Sequence, residues 1–214
     1  MVTPELVKEL REKTGAGMMD CKKALTECSG NMESATDYLR KKGLASAQKK
    51  ADRVAAEGMI GHYIHNGDKV GVLLEVNCET DFAARSDDFR TLVKDIAMHI
   101  CAMNPSYVRR EEVPADVLER EKEIARAQVP AGKPANVVEK IVEGKLGNFY
   151  KDACLYDQPF VKDDKQTIEQ AINGLIAKIG ENVRVRRFVR FVTGEGMEKR
   201  STDLAADVRA ALGE

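Results

Sequence analysis

Nowhere in the 214 residues does an apolar run approach the ~20 needed to cross a bilayer. The opening Met1-Val2-Thr3-Pro4-Glu5 lacks the basic region and apolar core of an export signal, so a cytoplasmic protein with no membrane partner is expected. Excess charge of one sign is missing too. Thirty-four Lys and Arg stand against 35 Asp and Glu, a formal net charge of -1, which gives no reason to expect nucleic acid or acidic lipid across the whole surface. The five cysteines at 21, 28, 78, 101 and 154 are odd in number and scattered, which suits free thiols better than a disulfide framework. There is no Gly-x-x-x-x-Gly-Lys-Ser/Thr loop, and Gly15-Ala16-Gly17 is too short for a dinucleotide fingerprint. His-Glu-x-x-His and paired Cys-x-x-Cys are absent, and the three histidines have no nucleophile pattern beside them. These gaps favour a binding protein over an enzyme, with no cofactor and no metal of its own.

What is present centres on residues 77–85. Before them Val70, Val72, Leu74 and Val76 alternate with Gly71, Leu73, Glu75 and Asn77, the pattern of a half-buried strand. After them Phe89, Leu92, Val93, Ile96, Ala97, Ile100 and Cys101 make one helical stripe. Ser86 can cap that helix, and Asp87 and Asp88 suit its positive end. Thr80-Asp81-Phe82 therefore falls in a short joint between strand and helix. Pattern alone leaves two readings: Phe82 as a core residue beside a turn-forming Asp81, or both side chains projecting from a stiff platform. A thiol nucleophile at Cys78, nearest this joint, is the enzyme reading that stays open.

The rest predicts an α+β protein. Leu6, Val7 and Leu10 mark a short first helix, a second spans 18–28, and Asn31 can cap a third that places Ala35, Tyr38 and Leu39 inward and stops at Gly43. Residues 44–56 read as a helical linker with a weak apolar stripe. Its Lys49 and Lys50, with Arg40, Lys41 and Lys42, fit either a solvated face or an RNA contact, but no aromatics are interleaved for base stacking. The three helices form a first unit at 1–54 and the core spans 55–196. Strands at 59–65 and 69–77 flank Asn66-Gly67-Asp68, a strong hairpin signal. His62 and His65 point to opposite faces and cannot share a metal, while His65 lies on the Tyr63 side. Two polar helices around Pro130-Ala131-Gly132-Lys133-Pro134 predict a thin helical hairpin at about 115–149, protruding or folded flat. Gln158-Pro159-Phe160-Val161 is extended, Ile168, Ala171, Ile172, Leu175 and Ile176 mark a helix, and 181–192 a strand. That strand is expected to put Val183, Val185, Val189 and Phe191 on one face and Arg184, Arg186 and Arg190 on the other. A last amphipathic helix at 202–212 belongs to a terminal module, 197–214, free to touch a partner or dock on its own core.

Taken together, Leu6 to Leu25, Val54-Ala55-Ala56-Glu57-Gly58, Thr80-Asp81-Phe82, Gln158-Pro159-Phe160 and Lys178-Ile179-Gly180-Glu181-Asn182 occur in the order seen in elongation factor Ts, and the chain resembles that family over almost its whole length. The resemblance implies a guanine-nucleotide exchange factor for elongation factor Tu, with a ubiquitin-associated-type N-terminal bundle and a protruding coiled-coil hairpin. It implies that Thr80, Asp81, Phe82 and Ala83 displace the partner's Mg²⁺. It further implies partner contacts at Lys8, Arg11, Met18, Met19, Lys22, His65, Val161, Ile179 and Gly180; for Met18 and Met19 core packing is the alternative. Only one hairpin is present, as in short members of the family. That implies a homodimer in which the 81–82 joint of one chain lies near His65 of the other.

Overall fold

The computed structural model describes residues 2–130, 132–198 and Arg209. The terminal helix expected at 202–212 lies outside the described residues, apart from Arg209.

The N-terminal bundle forms as its caps dictate. Helix α1 (Pro4–Thr14) starts under the Thr3 hydroxyl with proline in its first turn, and ends on Gly15 in a left-handed conformation. Helix α2 (Met18–Glu27) follows, then α3 (Met32–Lys50), capped by the Asn31 side chain on the Ser34 N–H. Val7, Leu10, Cys21, Ala24, Leu25 and Ala35 bury one another as a small core.

The third helix corrects an expectation. It runs through Gly43 to Lys50 instead of stopping. Gly43 is a close-approach residue here: a Cβ on it would lie 3.5 Å from the Cβ of Ala177 in α8 (Ile168–Ile179). The helix that begins in the bundle thus continues onto the main core, where Ala47 is buried. The weak stripe of 44–50 is weak because small residues suffice where two helices nearly touch.

The main core is a three-stranded antiparallel sheet, β1 (Glu57–Ile64), β2 (Val70–Cys78) and β5 (Val183–Val192), with β2 central. Gly67 and Asp68 take positive φ in the β1–β2 turn, as Asn-Gly-Asp predicts. One sheet face is covered by α5 (Asp87–Met103), whose Phe89, Val93, Ile96, Ala97 and Ile100 meet Val72, Leu74 and Val76. Gly61 is required at that contact, since a Cβ there would stand 2.3 Å from Val93 Cγ1. Helix α8 closes the same core, and β3 (Pro159–Phe160) pairs with β4 (Asp163–Thr167) beside it.

Strand β5 departs from the expected alternation. Val76 pairs with Val185 but Glu75 pairs with Arg187, so Arg186 is an extra, bulged residue and every later side chain changes face. Val183 and Val185 are buried, yet Val189 and Phe191 emerge on the outer face, while Arg190 turns back and donates to the Cys101 carbonyl at 3.2 Å. The bulge lets Arg186 and Arg187 both reach Glu75, at 2.9 and 2.7 Å. These two guanidinium hydrogen bonds hold the Glu75 carboxyl down at about 2.

Helices α6 (Ala115–Ala127) and α7 (Ala135–Ala153) form the antiparallel hairpin. Each buries one residue only, Ala125 and Val142, so the pair packs mainly on itself and stands out from the core.

Buried inside is one imidazole that the sequence reading did not single out. His99 Nδ1 accepts from the Val161 N–H at 3.2 Å, so Nε2 carries the proton and donates to Gln158 Oε1 at 2.9 Å; Gln158 Nε2 donates to the Asp152 carbonyl at 2.7 Å. Burial pushes the His99 pKa below its ordinary value near 6.5. Between those two values the unfolded chain binds the extra proton, so stability is full above about pH 6.5 and declines as pH falls below it. The thermal midpoint should therefore drop between pH 7.5 and pH 5.5, and His99→Gln should flatten that drop. An equally steep decline in the variant would show that other groups set it.

Candidate functional site

Residues 79–85 follow the end of β2 as a two-residue joint, Glu79-Thr80, and a one-turn helix, α4 (Asp81–Arg85). Thr80 caps α4, its hydroxyl accepting from the Ala83 N–H at 3.3 Å. Five residues cannot hold a helix alone, so the turn is held from outside. The Glu181 carboxylate accepts from the Glu79 N–H at 3.1 Å, the Thr80 N–H at 2.9 Å and the Thr80 hydroxyl at 2.6 Å. The Thr80 carbonyl accepts from the Cys78 thiol at 3.1 Å and from the Ala84 N–H at 3.3 Å.

The four residues of the joint divide sharply. Thr80 spends its polar atoms internally, and Ala83 is buried against the core. Phe82 is 89% exposed, beside the buried Ala83 and Ala84. Asp81 is exposed and pairs with Arg85 one turn on, a surface contact of about 0.2–1 kcal/mol that an incoming partner can break. Of the two readings left open by the pattern, projection of both side chains holds and burial of Phe82 does not. Periodicity misled because Ala83 and Ala84, not the ring, fill the core at this turn.

Other predicted contacts fall at different distances from the joint. Ile179 packs partly on the core and Gly180 ends α8 with φ 82°; they lead into Glu181, which bonds the joint. In the bundle, Lys8, Arg11, Met18, Met19 and Lys22 are all exposed, which removes core packing as a role for the two methionines. The α1–α2 turn lies by the end of α8: a Cβ on Gly15 would sit 3.9 Å from Lys178 Cδ, and Lys178 pairs with Asp88 at 2.6 Å. Val161 is exposed, its backbone tied to His99 and the next residue, Lys162, to Asp95 at 2.6 Å. It lies roughly 18 Å along α5 from the joint, at ~1.5 Å per residue. His65 is exposed at the far end of the hairpin, its Nδ1 3.3 Å from the Tyr63 hydroxyl. It stands about 25 Å from the joint at ~3.4 Å per strand residue. The joint, the turn after α8 and the bundle turn thus lie at one end of the chain's fold, and His65 and Val161 do not join them.

Sequence reasoning missed Glu79, Glu181 and Asn182. All three sit inside recognisable motifs, but the bonds that tie them together and to the chain after α3 span 102 to 131 positions, apart from the Arg53–Glu79 pair. Among the described residues no group of three acidic, histidine or cysteine side chains could hold a metal ion, and no helix is long and apolar enough to cross a membrane. Cys78 is a poor nucleophile: burial, and next the Glu181 charge, push its thiol up to about 11.

Among the described residues, the scaffold holds an acidic and an aromatic side chain outward, and exposed aromatic anchors of this kind are what protein-binding surfaces use. Comparison with known proteins agrees. The family model Elongation factor TS matches residues 46–195. The chain is 62% identical to Elongation factor Ts of Geobacter sulfurreducens and 60% identical to that of Desulforamulus reducens, in each case over 98% or more of both chains. It is 57% identical to that of Carboxydothermus hydrogenoformans, over 99% of this chain and 98% of the other. The chain belongs to the elongation factor Ts family. That membership gives it a part in translation elongation as a nucleotide-exchange factor, not as a catalyst of bond chemistry.

Proposed function

We propose that this protein binds GDP-loaded elongation factor Tu and drives GDP out by wedging Asp81 and Phe82 beside the partner's phosphate and Mg²⁺ site. The observation that carries this reading is the 89% exposure of Phe82 on a helical turn whose neighbours are fixed. Phe82 enters an apolar slot on the partner, where burial of the ring contributes ~1.5–3 kcal/mol. Asp81 leaves Arg85 and competes in the oxygen shell of the partner's Mg²⁺, the ion that neutralises the diphosphate. Coupling is reciprocal, so the protein weakens nucleotide binding by the factor with which nucleotide weakens the protein's binding. A ten-thousandfold weakening takes ~5.5 kcal/mol, more than one ring supplies. The exposed Lys8, Arg11, Met18, Met19 and Lys22 of the bundle, with His65, Val161, Ile179 and Gly180, supply the remainder as contacts.

The protein works as a homodimer, cytoplasmic and without nucleic acid. The outer sheet face supports the pairing: Ile60, Ile64, Leu73, Val189 and Phe191 are exposed there from all three strands, an apolar patch of the kind that marks an interface. A second copy laid face to face satisfies it by sheet-on-sheet packing. Since His65 and the joint of one subunit stand far apart, pairing is what brings the joint near His65 of the other chain.

The ion part of the mechanism has its own test. Release of labelled GDP from elongation factor Tu is timed with and without this protein, in millimolar Mg²⁺ and in EDTA. Acceleration should be greater with Mg²⁺ present, because the chelator has already made one of the two changes. An identical acceleration factor in both buffers contradicts a role for Asp81 at the ion.

A further inference from the structure

Two segments far apart in sequence hold each other by exchanged carboxylates. Glu181 takes the N–H groups of Glu79 and Thr80 and the Thr80 hydroxyl, as described above. In return Glu79 Oε1 accepts from the Asn182 N–H at 2.6 Å. Arg53 sits 3.4 Å from the same oxygen, and the Asn182 side chain donates to the carbonyls of Ala51 and Arg53 at 3.2 and 2.9 Å. The strand end, the turn after α8 and the chain leaving α3 are thereby locked into one knot directly under α4.

We propose that Glu181 is the positioning residue of the exchange wedge: it touches no partner, but it fixes the turn from which Asp81 and Phe82 project. This rests on the exchange reading above. The chemistry suits the task. An ionised carboxylate accepting N–H and O–H donors makes bonds roughly twice as strong as neutral ones. Here it engages both the backbone and the capping hydroxyl of the one residue that starts α4. A wedge already in its bound shape spends none of its binding free energy on ordering, and all of it remains to distort the partner. Without Glu181, two backbone N–H groups and the Thr80 hydroxyl lose their acceptor, and the short turn frays.

The test is a double-mutant cycle on the maximal rate of GDP release from elongation factor Tu at saturating protein. Glu181→Ala should lower that rate about tenfold. Glu181→Gln keeps an acceptor oxygen for the backbone but loses the charge, so it should lower the rate only about threefold. Neither substitution should reduce the rate further in an Asp81→Asn/Phe82→Ala background, because Glu181 acts through those two side chains. Should Glu181→Ala not fold, Glu181→Gln is read in the same cycle. A loss of the same factor in both backgrounds, as a merely structural strut would give, overturns the proposal, and so does no loss with Phe82 in place. If Phe82→Ala alone leaves the rate unchanged, the exchange reading itself fails and the inference falls with it.

Discussion

Phe82→Ala should cut the rate of GDP release from elongation factor Tu about ten- to a hundredfold, the equivalent of the ~1.5–3 kcal/mol a buried ring contributes. The loss should come with an unchanged fold. Phe82 is 89% exposed in the free chain, so truncating it removes almost no internal packing, and the expected stability change is within about 0.5 kcal/mol. Thermal unfolding and stopped-flow release of a fluorescent GDP, measured on the same preparation, separate the two effects. A variant that is both less active and markedly less stable would mean that the ring packs at home. Asp81→Asn is a companion measurement: it keeps the shape and removes the charge, and a smaller loss than with Phe82→Ala is expected.

The second large effect concerns assembly. Phe191→Asp should convert the protein from a dimer to a monomer at micromolar concentration. A twofold interface uses each residue twice, so one substitution removes two rings from it, about 3–6 kcal/mol together at ~1.5–3 kcal/mol per ring. That weakens the dimer by roughly two to four orders of magnitude at 1.4 kcal/mol per tenfold. In the free chain Phe191 is exposed on the outer sheet face, so the monomer tolerates the charge. Light scattering at the peak of a gel-filtration column gives the mass. If the unsubstituted protein already elutes with the mass of one chain, the apolar sheet face has another use.

Much of this architecture could be read from residue order, and the places where it could not share a cause. Local signals held wherever the neighbours in sequence are also the neighbours in space. Ser86 caps α5, Asn66-Gly67-Asp68 turns the hairpin, and the apolar stripe of α5 is the face that meets β2. Gly43 misled because a glycine inside a helix looks the same in sequence whether it stops the helix or admits a second one; α8, more than 120 positions on, decides. Strand β5 misled because a bulge is set by its partner: Arg186 and Arg187 share Glu75, and that shift turned Val189 and Phe191 outward. The resemblance located the Asp81-Phe82 joint, and the structure added what holds it. Glu181 and Glu79 reach across more than a hundred positions, a pairing that no spacing rule in a single sequence reveals.

Release of labelled GDP from elongation factor Tu, with this protein at a tenth of the partner's concentration and unlabelled GTP in excess, is the most direct measurement. Substoichiometric protein should empty the whole labelled pool far faster than the spontaneous rate, each molecule serving many partners in turn. A time course that coincides with the one recorded in its absence contradicts the wedge.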